Sequence, residues 1–475
     1  MHKKKLRYLI GGFADMVDRG QHPVAAEIIS RFVQRTIRSK QYDARAKERL
    51  PGGDTRAATY FAPYPAYMMS GSGCYLFDVD GNKYLDLLNN YTSLIHGHAH
   101  PEIIVAANAQ LKNGTVFGAA SEIQFQHAEH LCDRIRSMDQ VRYCNSGTEA
   151  TLFAIRAARA FTGRDIFIKM DGGYHGCHDA VEVNIFSDPN SADSAVQHIG
   201  PGVPASVLED VRIVPFNDLD AVEEMLITNA DNVAAILTEP LMGAAGAICP
   251  QPGYLKGLRA MADKYKVVLI FDEVMTFRLS NGGLQEIEDV QPDLTTLAKI
   301  IGGGMPIGAF GGRQEIMSRF DPAHEAPIFH SGTFNGNNIT MAAGMAAMRL
   351  YDEQAVTRLN QLGNRLQDGL TAALKDAGLN GCVSGLGSLL QLHWQERQPA
   401  NAKDSMAGMT KAAELPHLVH LEMMNRGVYA APRGMFCLST PMTQGDIDTA
   451  VAAFRETLSI LKPYIADTAP HLLAD

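Results

Sequence analysis

The sequence predicts an α/β protein: a large unit on a mostly parallel sheet, with a smaller α+β unit drawn from both ends of the chain. Three observations predict this. From about residue 140 to 312, apolar runs of strand length alternate with amphipathic helical stretches, the pattern of βαβ units. After about residue 340 long helical patterns take over, with only two short strand candidates. The 475 residues, 46% apolar and 20% charged, also suffice for two or three domains of ordinary globular composition.

Taken in order, residues 1–45 read as an N-terminal extension of one or two helices. Residues 46–100 hold a hairpin, with Tyr75-Leu76-Phe77 and Tyr84-Leu85-Asp86 flanking the turn signal Asp80-Gly81-Asn82, and are assigned to the smaller domain. Residues 101–340 form the large domain. Its expected strands are Val141–Cys144, Ile166–Met170, Val233–Thr238, Val267–Phe271 and Leu294–Leu297, and its helices include Glu149–Phe161 and Asp218–Asn229. Each strand runs at once into a polar or Gly-rich segment, so the site is expected at the carboxyl ends of the strands. Residues 341–475 complete the small domain, with strands at Ser388–His393 and Val428–Ala431.

Charge and composition exclude several classes of function. The balance of 42 basic against 52 acidic residues gives −10, and no basic run continues past Lys3-Lys4-Lys5, so nucleic acid is not an expected partner. Glu239, Pro240, Asp263 and Lys264 interrupt the apolar runs, so no membrane span is expected. The basic start resembles the head of a signal peptide, but the apolar run from Leu9 to Ala14 is too short and stops at Asp15. Seven scattered cysteines without a Cys-x-x-Cys pair read as reduced thiols of a cytoplasmic protein. His96, His98 and His100 alternate, but Gly97 and Pro101 favour a turn and no further ligand completes a zinc set, so no metal is expected.

Four segments carry chemistry. Asn145-Ser146-Gly147-Thr148-Glu149-Ala150 lies between a strand and an Ala-rich helix, where free N–H groups and two hydroxyls would cup an anion; an N-cap with a helpful glutamate is the alternative. Gly172-Gly173-Tyr174-His175-Gly176 projects an aromatic face into the same crevice. Asp272 and Glu273 end the most apolar strand, where a carboxylate is costly unless a cation or strong donors meet it. Lys299 ends another apolar strand and leads into Gly302-Gly303-Gly304; partial desolvation there lowers an amine's pKa and favours the neutral form needed for an imine. Singly, either residue reads equally well as a structural ion pair. Together these are the parts that pyridoxal phosphate requires.

With those segments in hand, the chain resembles class III, fold type I pyridoxal-phosphate aminotransferases, the group that includes glutamate-1-semialdehyde aminomutases. The likeness runs from about Arg49 to Ser459 and also draws on Pro51-Gly52-Gly53, Gly97-His98-Ala99-His100-Pro101, Phe271-Asp272-Glu273-Val274 and Thr296 through Gly304. The resemblance implies that Lys299 bonds to the cofactor and shuttles the proton, and that Asp272 keeps the pyridine nitrogen protonated. It implies further that Tyr174 and Val274 sandwich the ring, that Ser146, Gly147 and Thr148 bind the phosphate, and that Glu239 lies near the cofactor's 3′ oxygen. Thr333 would come from the neighbouring subunit, which implies a homodimer. Many relatives have glutamine where this chain has Met242, which departs from the contact expected at the 3′ oxygen.

For the substrate, Arg56 and Arg433 are the candidates to grip a carboxylate. With Phe61-Ala62-Pro63 and His330 through Asn335, they make the chain more similar to β-amino acid (β-phenylalanine type) aminotransferases than to aminomutases. Tyr60, Phe61, Tyr64 and Tyr91 would surround an apolar or aromatic substituent, with core packing as the plain alternative. The reading is transfer of an amino group from a β-amino acid to a 2-oxo acid such as 2-oxoglutarate or pyruvate. Its rivals are an aminomutase or racemase on the same fold, or a pyridoxal-phosphate-binding protein that has lost catalysis.

Overall fold

Seven strands form the central sheet of the structure, a computed structural model that describes residues 22–189, 200–229, 231–412 and 414–474. Two helices, Pro23–Arg35 and Ile37–Ala46, come first. The earlier part of the expected extension lies outside the described residues. Strands β1 (Met68–Ser72), β2 (Tyr75–Asp78) and β3 (Lys83–Asp86) follow, and β2 and β3 form the expected hairpin around Asp80-Gly81-Asn82.

The central sheet contains β4 (Gln140–Cys144), β5 (Ile166–Met170), β6 (Val211–Val214), β7 (Val233–Thr238), β8 (Val268–Asp272), β9 (Leu294–Ala298) and β10 (Gly308–Gly312). Their order is β4-β10-β9-β8-β7-β5-β6, parallel throughout except for β10, which runs against both neighbours. A sheet covered on both faces needs continuous apolar strands, and β5, β7, β8 and β9 are buried along their whole length. The helix Gly147–Thr162 lays Ala150, Ala154, Ala157 and Ala158 on one face of it; these small side chains let the helix lie close.

Two strands of this sheet escaped the sequence reading. β6 is four residues long, and β10 reads Gly-Ala-Phe-Gly-Gly, a composition that argues against a strand. The glycines of β10 have a steric cause: a Cβ on Gly308 would lie 2.0 Å from Ser146 O, and one on Gly312 2.1 Å from Asp293 O.

The rest of the chain adds β11 (Cys382–Leu386), β12 (Leu389–His393), β13 (Val428–Tyr429) and β14 (Met435–Cys437), with the long helices Glu353–Asp376 and Gln444–Thr468. β13 pairs in parallel with β3, so the N-terminal hairpin and the C-terminal segment share one sheet. β11, β12 and β14 form a second small sheet. Among the described residues, no helix is long and apolar enough to cross a membrane.

Candidate active site

β4, β5, β7, β8 and β9 point the same way, so their carboxyl ends deliver Ser146, Tyr174, Glu239, Asp272 and Lys299 to one edge of the sheet. At the first of these ends, Ser146 caps the helix Gly147–Thr162: its Oγ accepts from Glu149 N at 3.2 Å, and Glu149 Oε2 accepts from Asn145 N at 2.6 Å. The capping arrangement is therefore present, and it leaves room for an anion, because the N–H groups of the first turn still have no intrahelical acceptor. Thr148 Oγ1 accepts from Cys177 N at 3.3 Å, which fastens the Tyr174 turn to the cup. A Cβ on Gly147 would lie 3.4 Å from Val274 and 3.6 Å from the Cβ of Ala298, the residue before Lys299.

Asp272 is buried and accepts three hydrogen bonds: from His175 Nδ1 at 2.8 Å, Thr296 Oγ1 at 3.0 Å and Val274 N at 3.2 Å. A carboxylate offers roughly four lone-pair sites, so it retains room for one more donor. His175 is itself buried, and burial pulls its pKa down while Asp272 opposes the shift. The sequence reading quoted His175 only as part of a motif; its bond to Asp272 is a tertiary fact.

Glu239 accepts from Tyr174 N at 3.1 Å and Gly243 N at 2.9 Å. Burial, and then the charge of Asp272, push its pKa up to about 7. Tyr174 keeps 42% of its surface exposed in the crevice, where its hydroxyl lies 3.4 Å from Cys177 Sγ. Met242 is buried in the core and pairs through its backbone with Ile248, so its thioether does not line the crevice.

Lys299 adopts φ 53°, left-handed backbone in a residue with a Cβ. Such a residue costs roughly 1–2 kcal/mol and persists where its surroundings fix it. Some of its surface reaches solvent, but protein surrounds the amine, and this burial lowers its pKa to about 8 against the pull of Glu239 and Asp272.

Arg278, which no sequence motif marked, also lowers the Lys299 pKa. It is fully buried, and Nε donates to Ser388 Oγ at 3.0 Å, Nη1 to Cys437 Sγ at 2.6 Å and Thr92 O at 3.5 Å, and Nη2 to Leu438 O. None of those acceptors is a carboxylate. A second buried cation, Lys169, donates to Val183 O at 2.8 Å, and burial lowers its pKa to about 8 against the pull of Asp171 and then Glu239. A lysine inside the otherwise apolar run Ile166–Met170 was the signal that could have found it.

Arg56 bonds Asn90 beside Tyr91, Tyr91 packs in one cluster with Ala431, two residues before Arg433, and the two guanidinium charges lower the Tyr91 pKa against the rise from burial. Arg56 is exposed, with Nη1 2.7 Å from Asn90 Oδ1. Arg433 is open to solvent and lines a cleft with Ile185, Phe186, Ser187, Gln391, Ser405 and Met406, and the surrounding protein lowers its pKa. Of the expected rings, Phe61 and Tyr64 are buried core: both pack against Phe32, and Tyr64 bonds Thr36. Core packing accounts for them, because the helix Pro23–Arg35 covers that face. Thr333 is exposed, on a segment that also holds Phe329 (82% exposed) and Phe334 (58%).

Among the described residues no group of three or more His, Cys, Asp and Glu is placed to hold a metal ion. His98 instead bonds Asp86 at 2.7 Å, and His96 bonds Thr440 and the carbonyl of Ala347. The crevice suits a group carrying an anion at one end, a basic ring nitrogen at the other and an aldehyde within reach of an amine: an open helix N-terminus, a spare carboxylate lone pair and Lys299 answer those three features.

A family model for class-III aminotransferases matches residues 58–457. The chain is 39% identical over 433 residues to a glutamate-1-semialdehyde 2,1-aminomutase of Methanothermobacter thermautotrophicus, covering 90% of this chain and 100% of that protein. Among solved structures it is similar to an omega-transaminase from Sphaerobacter thermophilus (41% identity, TM-score 0.86, 89% of this chain and 98% of that one). It is also similar to a β-phenylalanine aminotransferase from Variovorax paradoxus (34% identity, TM-score 0.83, 95% and 99%).

Proposed function

The chain belongs to the class-III aminotransferase family, and from that premise we propose that it is a homodimeric transaminase moving an amino group from a β-amino acid to a 2-oxo acid. Its cofactor is pyridoxal 5′-phosphate, which when bound supplies an electron sink that lets the carbon bearing the amino group lose a proton. In this reading Ser146, Gly147 and Thr148 hold the phosphate, Tyr174 and Val274 flank the ring, and Asp272 holds a proton at the ring nitrogen. Glu239 sits by the 3′ oxygen. Lys299, neutral in a substantial fraction near pH 8, would hold the cofactor through its amine and would be the group that carries the proton to and from the substrate carbon. Shared pairing of β3 with β13 supports the division into a large domain at 101–340 and a small one from 46–100 and 341–475. Seven free thiols support a cytoplasmic setting.

The observation that carries the substrate reading is the placement of Arg56 beside Asn90 and Tyr91, with Arg433 near the same turn and on a cleft of mixed polar and apolar lining. One guanidinium can hold the donor's carboxylate while the other meets the second carboxylate of an acceptor such as 2-oxoglutarate. The aminomutase named among its curated relatives is the second reading. A panel of α-, β- and ω-amino donors, each with pyruvate or 2-oxoglutarate, separates them. The proposal requires turnover of a β-amino donor only when an oxo acid is present, and isomerisation of a single substrate without acceptor would replace it with the aminomutase. Borohydride reduction followed by peptide mapping should place the cofactor on Lys299.

A further inference from the structure

Four non-glycine residues in succession, Asn89, Asn90, Tyr91 and Thr92, hold φ between 50° and 74°. L-residues visit the left-handed region singly and avoid it in runs, so a run of four persists only under contacts that over-determine it. Those contacts are present. Asp86 Oδ1 accepts from Leu88 N and Asn89 N, both at 2.9 Å; Asn89 Nδ2 donates to Cys437 O at 2.6 Å; and Arg278 reaches Thr92 O. Tyr91 closes the turn by donating its hydroxyl to Ala58 O, two residues from Arg56.

The turn presents Asn90. Its Nδ2 donates to Ser93 Oγ at 3.0 Å, which turns Oδ1 toward Arg56 Nη1 at 2.7 Å. The Arg56 main chain is fastened as well: Asp54 Oδ1 accepts from Arg56 N at 3.3 Å, and Thr59 Oγ1 donates to Arg56 O at 2.8 Å. With Nη1 engaged, the Nε and Nη2 edge is left to meet a carboxylate in bidentate fashion. An aspartate at 90 would make the same contact but cancel the charge; an amide orients the guanidinium and leaves its charge intact.

We propose that Asn90 is a positioning residue for carboxylate-bearing substrates, aimed by the left-handed turn and acting through Arg56. The inference rests on the reading of Arg56 as a carboxylate grip.

The test uses the holoenzyme and binding by calorimetry of 3-phenylpropanoate, which has a carboxylate and no amine to react, against 3-phenylpropanamide, which is neutral. Asn90→Ala should weaken the acid about tenfold and leave the amide unchanged, and Asn90→Asp should weaken the acid further. Asn90→Gly relaxes the backbone while removing the amide, so it should keep or raise the melting temperature and still weaken the acid. For a β-amino donor, the same variants should raise KM and leave kcat nearly unchanged. Equal loss for acid and amide, or no loss in Asn90→Ala while Arg56→Ala weakens the acid, would overturn the positioning role and spare the grip. If Arg56→Ala binds the acid like the parent, the grip reading fails first and the positioning role with it.

Discussion

At the residue scale the charge on Lys299 is set by a contest that the structure makes explicit. Burial lowers its pKa to about 8, Glu239 and then Asp272 pull it up, and Arg278 pushes it down. The neutral amine therefore grows as pH rises through about 8, and so should the rate at which trinitrobenzenesulfonate modifies Lys299 in the apoenzyme. Glu239→Gln removes the largest upward pull, so the midpoint should move to lower pH; an upward move would refute this account. Stability follows the same protons. Between about 8 and the ordinary value of 10.5 the unfolded chain binds the proton that the folded chain has released, so the apoenzyme gains stability with rising pH there. Lys299→Met should reduce that slope and leave the share of Lys169, whose pKa burial lowers in the same way. Lys299 and Asp272 stood out as candidates because each ends an apolar strand, where a charge is costly without a partner, whereas Glu239 came only from the family likeness. Arg278 was not legible, since only the three-dimensional fold shows that it is buried with no carboxylate bonded to it, while Lys169 was marked only by its place in the apolar run Ile166–Met170.

At the scale of elements, legibility followed apolar content. β5 and β7 match their expected bounds, β4 and β9 are each longer by a residue at one end, and β8 is shifted by a residue at both, because buried parallel strands must be continuously apolar. β10 was hidden by its glycines, and those glycines tie the sheet to the site. Gly308 sits so close to Ser146 O that any Cβ forces the cup's first residue to move. Gly308→Ala should therefore cost about 1–3 kcal/mol in urea unfolding and also loosen the cofactor. A nearby change of similar cost, Ser146→Ala, removes the cap for about 1 kcal/mol but leaves the backbone of the cup in place. If Gly308→Ala lost stability while holding the cofactor as tightly as the parent, the coupling between β10 and the cup would be wrong. Tyr64 and Phe61 went astray for the converse reason: aromatic residues near a site motif look alike whether they face the crevice or a covering helix.

At the scale of the whole molecule, one chain leaves a surface that calls for a second copy. Phe329 and Phe334 stand out from the segment that carries Thr333, and Phe125 is exposed on the helix whose Gln124 donates to Gly336 O at 2.9 Å. Phe117 lies close by, since Thr115 O accepts from Asn338 N at 3.0 Å. Four exposed phenylalanines gathered around one loop are costly in water, and that cost is removed if the loop packs on another subunit. The expectation of a dimer came only from the family likeness, because exposure is a property of the folded surface. Sedimentation should give the mass of two chains. Phe329→Asp with Phe334→Asp should shift it toward one chain and make cofactor retention depend on protein concentration, as linkage between binding and association requires. Thr333→Ala separates the two effects: the dimer should persist while cofactor affinity falls by about tenfold, the worth of one hydrogen bond to a charged group. A monomer that keeps its cofactor and full activity would remove Thr333 from the site and the second subunit from the mechanism.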